Sequence, residues 1–550
     1  MPHPNARIPD FWPAGKPWTF DRPDTPVDVN LDKTVEKWGD RIGITYNGAD
    51  YSYQEVADRV SAMAGYLQHV GLTKGDRVLL YTQNCPQYII AFYAILRAGG
   101  AVVPVNPMNK RAEIDYLVED TGATIAVCAL ELADNILPAL ERGDLKTLIG
   151  TRMTDMGLPD FDLVPEKQIP SMSEAEAEAL GMTGFQSAID QGHTPAPRDT
   201  TSDDLAVIPY SSGTTGNPKG CVHTHRTVMA SLVAGVIWNP TTETTVHLGA
   251  LPFFHVTGMM NGMHAPIMTG GRNVILPRWS SKLAAGLIER FKIARWRSIA
   301  TMAIDLVNDP KFDSYNLSSL EMIGGGGAAM PEAIAKKLKD MTGLDYVEGY
   351  GLSETMAATH VNPIDAPKRQ CLGQPIFEVD SRILEIGGDT ELPHGEVGEI
   401  VMHAPQNLLG YWQRPVATAE AFVEIDGVPF FRSGDIGYRD ADGYFFMVDR
   451  VKRMVNAAGF KVWPAEIEML MLHHPDIAEC CVIAAKDERR GECVKAIVIP
   501  RPEARDEITE QGVIDWCKTQ MSAYKCPSIV EFVDDLPRSG AGKVLWKNLT

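Results

Sequence analysis

The chain is 550 residues long, more than a single hydrophobic core fills, so it divides into at least two domains. Its 45% hydrophobic and 22% charged residues are those of a globular protein, and a formal charge of −20 with no compensating basic stripe excludes an extended nucleic-acid footprint. Nine cysteines without CxxC or Cys/His ligand spacing exclude a disulfide framework and a structural zinc, and point to a reduced, cytoplasmic protein.

The opening stretch, MPHPNARIPDFWPAGKPW, lacks the apolar run of a signal peptide. Residues 44–53, ITYNGADYSY, predict a hairpin with Asn47-Gly48 at the turn. Tyr53, Val56, Ala57, Val60, Met63, Ala64 and Leu67 then recur at helical spacing. Strands are expected at 77–82, 101–105 and 124–129, alternating with helices near 88–97 and 112–120. That alternation predicts a parallel sheet with crossover helices. Residues 152–204 are acidic, weakly periodic and rich in Ser, Pro and Gly, and read as an irregular excursion.

Residues 210–220 read YSSGTTGNPKG, between a predicted strand at 205–209 and a predicted helix at 227–238. Gly213 and Gly216 let backbone N–H groups approach a ligand closely. Hydroxyls of Ser211, Ser212, Thr214 and Thr215 can donate to phosphate oxygens, and Lys219 adds a mobile positive charge. This is not the Walker pattern, because Pro218 precedes Lys219 and Gly220 follows it. The whole string resembles the signature loop of the adenylate-forming superfamily: acyl-CoA synthetases, firefly luciferase and peptide-synthetase adenylation domains.

From Thr244 to Gly271 there is no Asp, Glu, Lys or Arg. The stretch could span a bilayer by length, but its histidines, prolines and glycines predict a buried, site-lining segment. Within it, LPFFHVTGMM is similar to the superfamily's aromatic-His-x-x-Gly segment beside the acyl pocket, with His255 at the histidine position. Amino-acid-adenylating relatives carry aspartate there, which argues against an amino-acid substrate. Gly324 to Gly327 follow an expected strand at 320–323, and the resemblance places Gly325 near the adenine and Gly326 near the acyl carbonyl.

EGYGLSET, residues 348–355, resembles the superfamily's YGxTE segment, with Ser353 for the commoner threonine. Tyr350 offers a face for stacking a base, Ser353 a phosphate donor, and Glu354 an anionic oxygen ligand for Mg²⁺. In FRSGDIGYRDADGYFFMVDRVKR, the resemblance assigns Asp435 and Arg450 to the ribose and Lys452 to the hinge. From Val455 the chain reads as a small α+β domain with a helix opened by Pro464, strands at 479–485, 494–500 and 529–533, and a helix at 513–521. NAAGFKVWPAEIE is similar to the loop that turns towards coenzyme A, which puts Gly459 and Lys461 on the CoA face. Lys543, in LPRSGAGKVLWKNL, matches the lysine that reaches the α-phosphate, with Ala541 for a frequent serine.

The resemblance covers roughly residues 40–550 and implies an α/β protein. A large N-terminal domain (1–451) would hold parallel-rich sheets, crossover helices and a β-subdomain. A small, mobile α+β cap (452–550) would follow. It also implies a ligase that joins a carboxylic acid to AMP with release of pyrophosphate, then passes the acyl group to coenzyme A. Lys543, Thr215, Lys219, Glu354 and His255 would be catalytic, with ATP, Mg²⁺ and coenzyme A as the small-molecule requirements. Trp238, His255, Met259, Met260, Met263, Met302, Gly326 and Met356 are the acyl-pocket candidates. No Arg or Lys lies near them in sequence to bind a second carboxylate, so a medium- to long-chain fatty acid is expected ahead of a small branched, cyclic, aryl or thioether acid. An adenylating enzyme without CoA transfer, and a non-catalytic nucleotide-binding protein, are the readings of another class. No nucleic acid, at most peripheral membrane contact and compatibility with a homodimer complete the expectations.

Overall fold

The computed structural model describes residues 12, 17–164, 171–211, 218–327, 330–450, 453–457, 460–487, 491–538 and 544–549, apart from the side chains at 456, 457, 460, 461 and 491. The chain forms two compact units. One comprises Met1–Asp380 and His403–Phe422, the other Ser381–Met402 and Val423–Thr550.

Among the described residues the first unit contains two large sheets. The seven-stranded one has the order His223–Thr224, Leu205–Val207, Ala101–Pro104, Arg77–Tyr81, Ile125–Ala129, Thr147–Thr151, Thr183–Gly184. Its strands are parallel apart from the first pair. Runs such as Val78–Leu80 and Val102–Val103 are buried on both faces, as parallel strands under helices must be. The helix Pro86–Arg97 has proline in its first turn and is buried almost along its whole length, which explains its near-continuous apolar sequence. The excursion at 152–204 is less irregular than expected, because Thr183–Gly184 joins the sheet edge beside Ile149 and Gly150.

A two-stranded hairpin, β1 (Tyr210–Ser211) and β2 (Lys219–Gly220), precedes the long helix α1 (His225–Trp238). The nine-stranded sheet takes in β3 (Val246–Gly249), β4 (Arg295–Ser298), β5 (Met322–Gly326), β6 (Tyr346–Leu352) and β7 (Ala357–Val361). Its order is Gln374–Pro375, β7, β6, β5, β4, β3, Arg272–Ile275, Ile42–Tyr46, Ala49–Ser52. The strands from β6 to Ile42–Tyr46 are parallel, and antiparallel pairs close both edges. One edge is the expected hairpin: Asn47 (φ 43°) and Gly48 (φ 80°) both take the left-handed conformation that a two-residue turn requires. Trp296 and Ile323 face the helices Ser281–Phe291 and Ala300–Val307 in one core, and the opposite face belongs with a second core that includes Met259, Met263 and Met356.

The glycine run departs from expectation, since β5 continues through Gly324, Gly325 and Gly326 instead of ending before them. A Cβ on any of the three would collide with a backbone carbonyl of a neighbouring strand, from Val347, Ser298 and Gly349 respectively. Crowding between strands therefore requires glycine here. The uncharged segment at 244–271 folds into β3 and a broken helix, and no helix among the described residues is long and apolar enough to cross a membrane.

In the second unit, β8 (Val428–Arg439) pairs antiparallel with residues 398–402 and with β9 (Phe445–Arg450). A further five-stranded sheet contains Val455–Ala457, Phe460–Val462, Ile477–Asp487, Gly491–Pro500 and Ile529–Phe532. The helix α2 (Pro464–Met471) and the helix Glu510–Gln520 pack on it through Ile467, Met471, Val513 and Cys517. This is the expected α+β arrangement, with both long strands extended by a hairpin.

Candidate active site

Lys219 stands opposite Ser211 in the β1–β2 hairpin, and Gly220 opposite Tyr210. The residues between, including the candidates Ser212, Gly213, Thr214, Thr215 and Gly216, lie outside the described residues. A polar cluster centred on Asp120 pins the hairpin's base. Its carboxylate accepts from the Tyr210 hydroxyl at 2.6 Å and from Arg414 at 2.5 Å, and its carbonyl accepts from Trp412 Nε1 at 2.9 Å. The Tyr116 hydroxyl donates to the Pro218 carbonyl at 2.8 Å.

Residues 408–412, LLGYW, run antiparallel to 220–222 and tie the hairpin to Glu354. Trp412 N–H donates to Gly220 (2.8 Å), Val222 N–H to Gly410 (3.0 Å), and Leu408 N–H to the Glu354 carbonyl (2.7 Å). At the centre, the Tyr411 hydroxyl donates to Glu354 Oε1 at 3.1 Å, while Lys219 Nζ sits 4.9 Å from the centre of the Tyr411 ring. Burial and then the Glu354 charge raise the phenol well above its ordinary pKa, so it remains a donor. Sequence reasoning missed both Tyr411 and Asp120. The available signal was an adjacent Tyr-Trp pair between Gly410 and Pro415, unusual in a loop without a packing role.

Glu354 also tests the fit of Mg²⁺. No group of three His, Cys, Asp or Glu among the described residues could cage a metal. Glu354 supplies a single carboxylate that shares Tyr411 with Lys219 of the β1–β2 hairpin, which suits Mg²⁺ because that ion takes one or two protein carboxylates along with substrate phosphates. The residues present therefore fit the ion.

The segment carrying Glu354 is held in an unusual backbone. Met356 (φ 47°) and Ala357 (φ 81°) are consecutive left-handed residues, a conformation non-glycine residues rarely adopt and one that concentrates at functional sites. The Thr355 hydroxyl accepts from Leu352 N–H at 2.9 Å and donates to the Ala357 carbonyl at 2.8 Å, bracing the turn. The Ser353 carbonyl lies 2.8 Å from His223 Nε2, and Thr227 Oγ1 lies 3.2 Å from His223 Nδ1. Burial pushes His223 down to about 4, so it is neutral: Nε2–H donates to Ser353 and Nδ1 accepts from Thr227. Tyr350 is buried, its ring 5.5 Å from that of His360 in an edge arrangement.

His255 caps the helical segment that follows, its Nδ1 accepting from Thr257 N–H at 3.3 Å. The helix then widens into a π turn, Met259–His264, before resuming as Ala265–Thr269. Such widened turns favour functional sites. Asn261 Nδ2 donates to the Thr257 carbonyl at 3.0 Å and Asn273 Nδ2 to the Gly262 carbonyl at 2.5 Å, supplying donors to the splayed backbone. Met259, Met260, Met263 and Met356 share one core cluster with Val228 and Leu232 of α1. Met302 lies in the other core, with Trp296 and Leu306, and Trp238 joins an aromatic group with Phe377 (5.7 Å) and Trp12 (6.0 Å).

In the second unit Asp435 and Arg450 are register partners across β8 and β9, with Arg450 Nε 2.8 Å from Asp435 Oδ1. Asp435 is fully buried, and its N–H donates to Ser433 Oγ at 3.0 Å. Asp449, next in sequence to Arg450, accepts from Arg450 N–H and from Ala465 N–H in the first turn of α2, both at 2.7 Å. Burial raises the Asp449 carboxyl while Arg453 opposes the rise. Lys452, Gly459 and Lys543 lie outside the described residues, as does the side chain of Lys461.

The sequence profile described as AMP-binding enzyme matches residues 31–412, and that of the AMP-binding enzyme C-terminal domain matches residues 466–543. The chain belongs to the AMP-binding enzyme family. This AMP-binding enzyme is 31% identical to a long-chain-fatty-acid–CoA ligase of Escherichia coli O6:H1, over 96% of each chain. It is also 31% identical to a feruloyl-CoA synthase of an Amycolatopsis species, over 91% of this chain and 94% of that one. ATP-bound MatB from Rhodopseudomonas palustris superposes with a TM-score of 0.83 at 27% identity, covering 96% and 98% of the two chains. Its class is that of the adenylate-forming acyl-CoA ligases.

Proposed function

We propose that this AMP-binding enzyme activates an aliphatic carboxylic acid of medium to long chain and transfers it to coenzyme A. In the first step the acid's carboxylate attacks the ATP α-phosphorus, forming acyl-adenylate and releasing pyrophosphate. In the second, the thiol of coenzyme A displaces AMP. The observation that carries the reading is the convergence of Lys219 and Glu354 on Tyr411 beside the hydroxyl-rich loop. A cation for phosphate oxygens and a carboxylate for their counter-ion are held there by one phenol, and phosphoryl-centre chemistry is largely positioning and charge stabilisation.

Thr214, Thr215 and Lys219 bind the leaving phosphates, and Glu354 would hold Mg²⁺, which when bound neutralises phosphate charge. Tyr350 and Gly325 take the adenine, Ser353 donates to a phosphate, and Asp435 with Arg450 takes the ribose hydroxyls. Lys543 serves adenylation, while Gly459 and Lys461 serve coenzyme A. The domain line falls after residue 451, with Lys452 as the hinge on which the cap changes lids between half-reactions. The relatives named for long-chain fatty acids and the cluster of Met259, Met260 and Met356 support an aliphatic acid. An aryl acid is the second reading, favoured by the equally similar relative named for feruloyl-CoA. Pyrophosphate release across a panel of aliphatic and aryl acids, with and without coenzyme A, tests all of this. AMP and thioester should form with aliphatic acids, and failure of any acid to release pyrophosphate would refute the ligase.

A further inference from the structure

The turn that carries Ser353 and Glu354 runs on through two consecutive left-handed residues, Met356 and Ala357. Non-glycine residues hold that conformation only where their surroundings impose it. The carbonyls of the turn show what does so. That of Glu354 accepts from Leu408 N–H, and that of Ala357 from the Thr355 hydroxyl. Those of Ser353 and Met356 accept from side chains on and just before the helix α1. His223 Nε2 lies 2.8 Å from the Ser353 carbonyl, and the Ser231 hydroxyl donates to the Met356 carbonyl at 2.6 Å.

The helix itself does not need that serine. α1 is buried along most of its length, where a hydroxyl costs stability unless it is paired and where alanine would suit the helix better. A helical serine commonly turns back to the carbonyl of the preceding turn, whereas Ser231 gives its proton to another segment. His223 is steadied through its other nitrogen, with Thr227 Oγ1 at 3.2 Å, and Thr227 and Ser231 lie one turn apart on the same side of α1. The three make a polar stripe beside Val228 and Leu232, which join the apolar core. It begins three residues beyond Gly220, so one continuous stretch of chain sets both Lys219 and the turn of Glu354.

We propose that Ser231 and His223 are positioning residues for adenylation. By holding the Met356 and Ser353 carbonyls they keep the turn left-handed and the Glu354 carboxylate at Tyr411, ready for magnesium-ATP. This rests on the assignment of Glu354 to the metal in the ligase reading.

Calorimetric titration of the full-length protein with magnesium-ATP, and with ATP in excess EDTA, separates positioning from general damage. Ser231→Ala takes the hydroxyl donor from the Met356 carbonyl. His223→Leu takes the imidazole from the Ser353 carbonyl, while the Thr227 hydroxyl keeps the Thr224 carbonyl at 3.0 Å as an acceptor. Each lost hydrogen bond should weaken magnesium-ATP about 3- to 10-fold, weaken metal-free ATP less, and raise the magnesium concentration needed for half-maximal pyrophosphate release. His223→Gln, whose amide nitrogen can replace Nε2 as donor, should retain most of the wild-type affinity. Wild-type affinity for magnesium-ATP in both Ser231→Ala and His223→Leu overturns the proposal, as do equal losses with and without the metal. If His223→Leu does not fold, Ser231→Ala decides alone. Glu354→Gln is the reference. If it too binds magnesium-ATP like wild type, the metal assignment falls and the positioning role with it, whereas a loss in Glu354→Gln alone refutes only the positioning role.

Discussion

Tyr411 touches two groups assigned to the phosphates, and single substitutions can separate its contacts. Tyr411→Phe keeps the ring beneath Lys219 and removes only the donation to Glu354. A hydrogen bond to a charged group contributes about 1.5–3 kcal/mol, so kcat/KM for pyrophosphate release should fall about 10- to 10²-fold. Tyr411→Leu removes both contacts and should fall further. A calorimetric titration of magnesium-ATP would show the same ranking in affinity. Indistinguishable Tyr411→Phe and wild-type proteins would strip the phenol of its positioning role. Lys543→Ala should slow adenylation about 10²–10³-fold, as loss of one electrostatic stabiliser does. Thioester formation from synthetic acyl-adenylate should change much less, and equal losses in both half-reactions would discard its assignment.

The glycine run of β5 shows how an element can mislead a reader of sequence. Consecutive glycines suggest a backbone that makes room for a ligand, yet in the sheet it is the neighbouring strands that fill the Cβ positions. Gly325→Ala should therefore destabilise the ligand-free protein by at least about 2 kcal/mol through collision with the Ser298 carbonyl. Urea unfolding without ATP measures it, and an unshifted midpoint would return Gly325 to a purely ligand-facing role. The alternation between residues 77 and 129 was legible because buried parallel strands are short apolar runs and crossover helices separate them. The Asn47-Gly48 hairpin was legible because its turn needs two left-handed residues. Asp120 and Tyr411 were not. Their partners lie between 57 and 294 positions away, and the sequence carries no trace of which distant segments meet. Met302 was grouped with Met259 by type alone, whereas the two sit on different helical segments that pack in different cores.

At the scale of the whole molecule, pH is the clearest lever. His223 and His225 are pushed by burial down to about 4, and His247, His264 and His360 to about 3. An unfolded histidine titrates near 6.5. Between that value and the folded ones the unfolded chain binds more protons, so acid favours unfolding. The stabilisation is fully present above about pH 6.5 and is lost as pH falls towards 4 and then 3. Melting temperatures at steps from pH 7.5 to 5 should decline accordingly. His264→Gln should flatten the decline, and an unaltered slope would show that His264 takes no part. The order of the two units along the chain has its own consequence. Tyr411 and Trp412 belong to the first unit, yet residues 381–402 of the second are made before them. A ribosome that has just finished residue 380 has supplied Glu354 and Lys219 without the strap that joins them. At synthesis rates of about 5–20 residues per second, the strap arrives seconds later. A fragment ending at 380 should therefore emerge with Lys219 and Glu354 unjoined, and the shortest self-sufficient first unit must run on to residue 422.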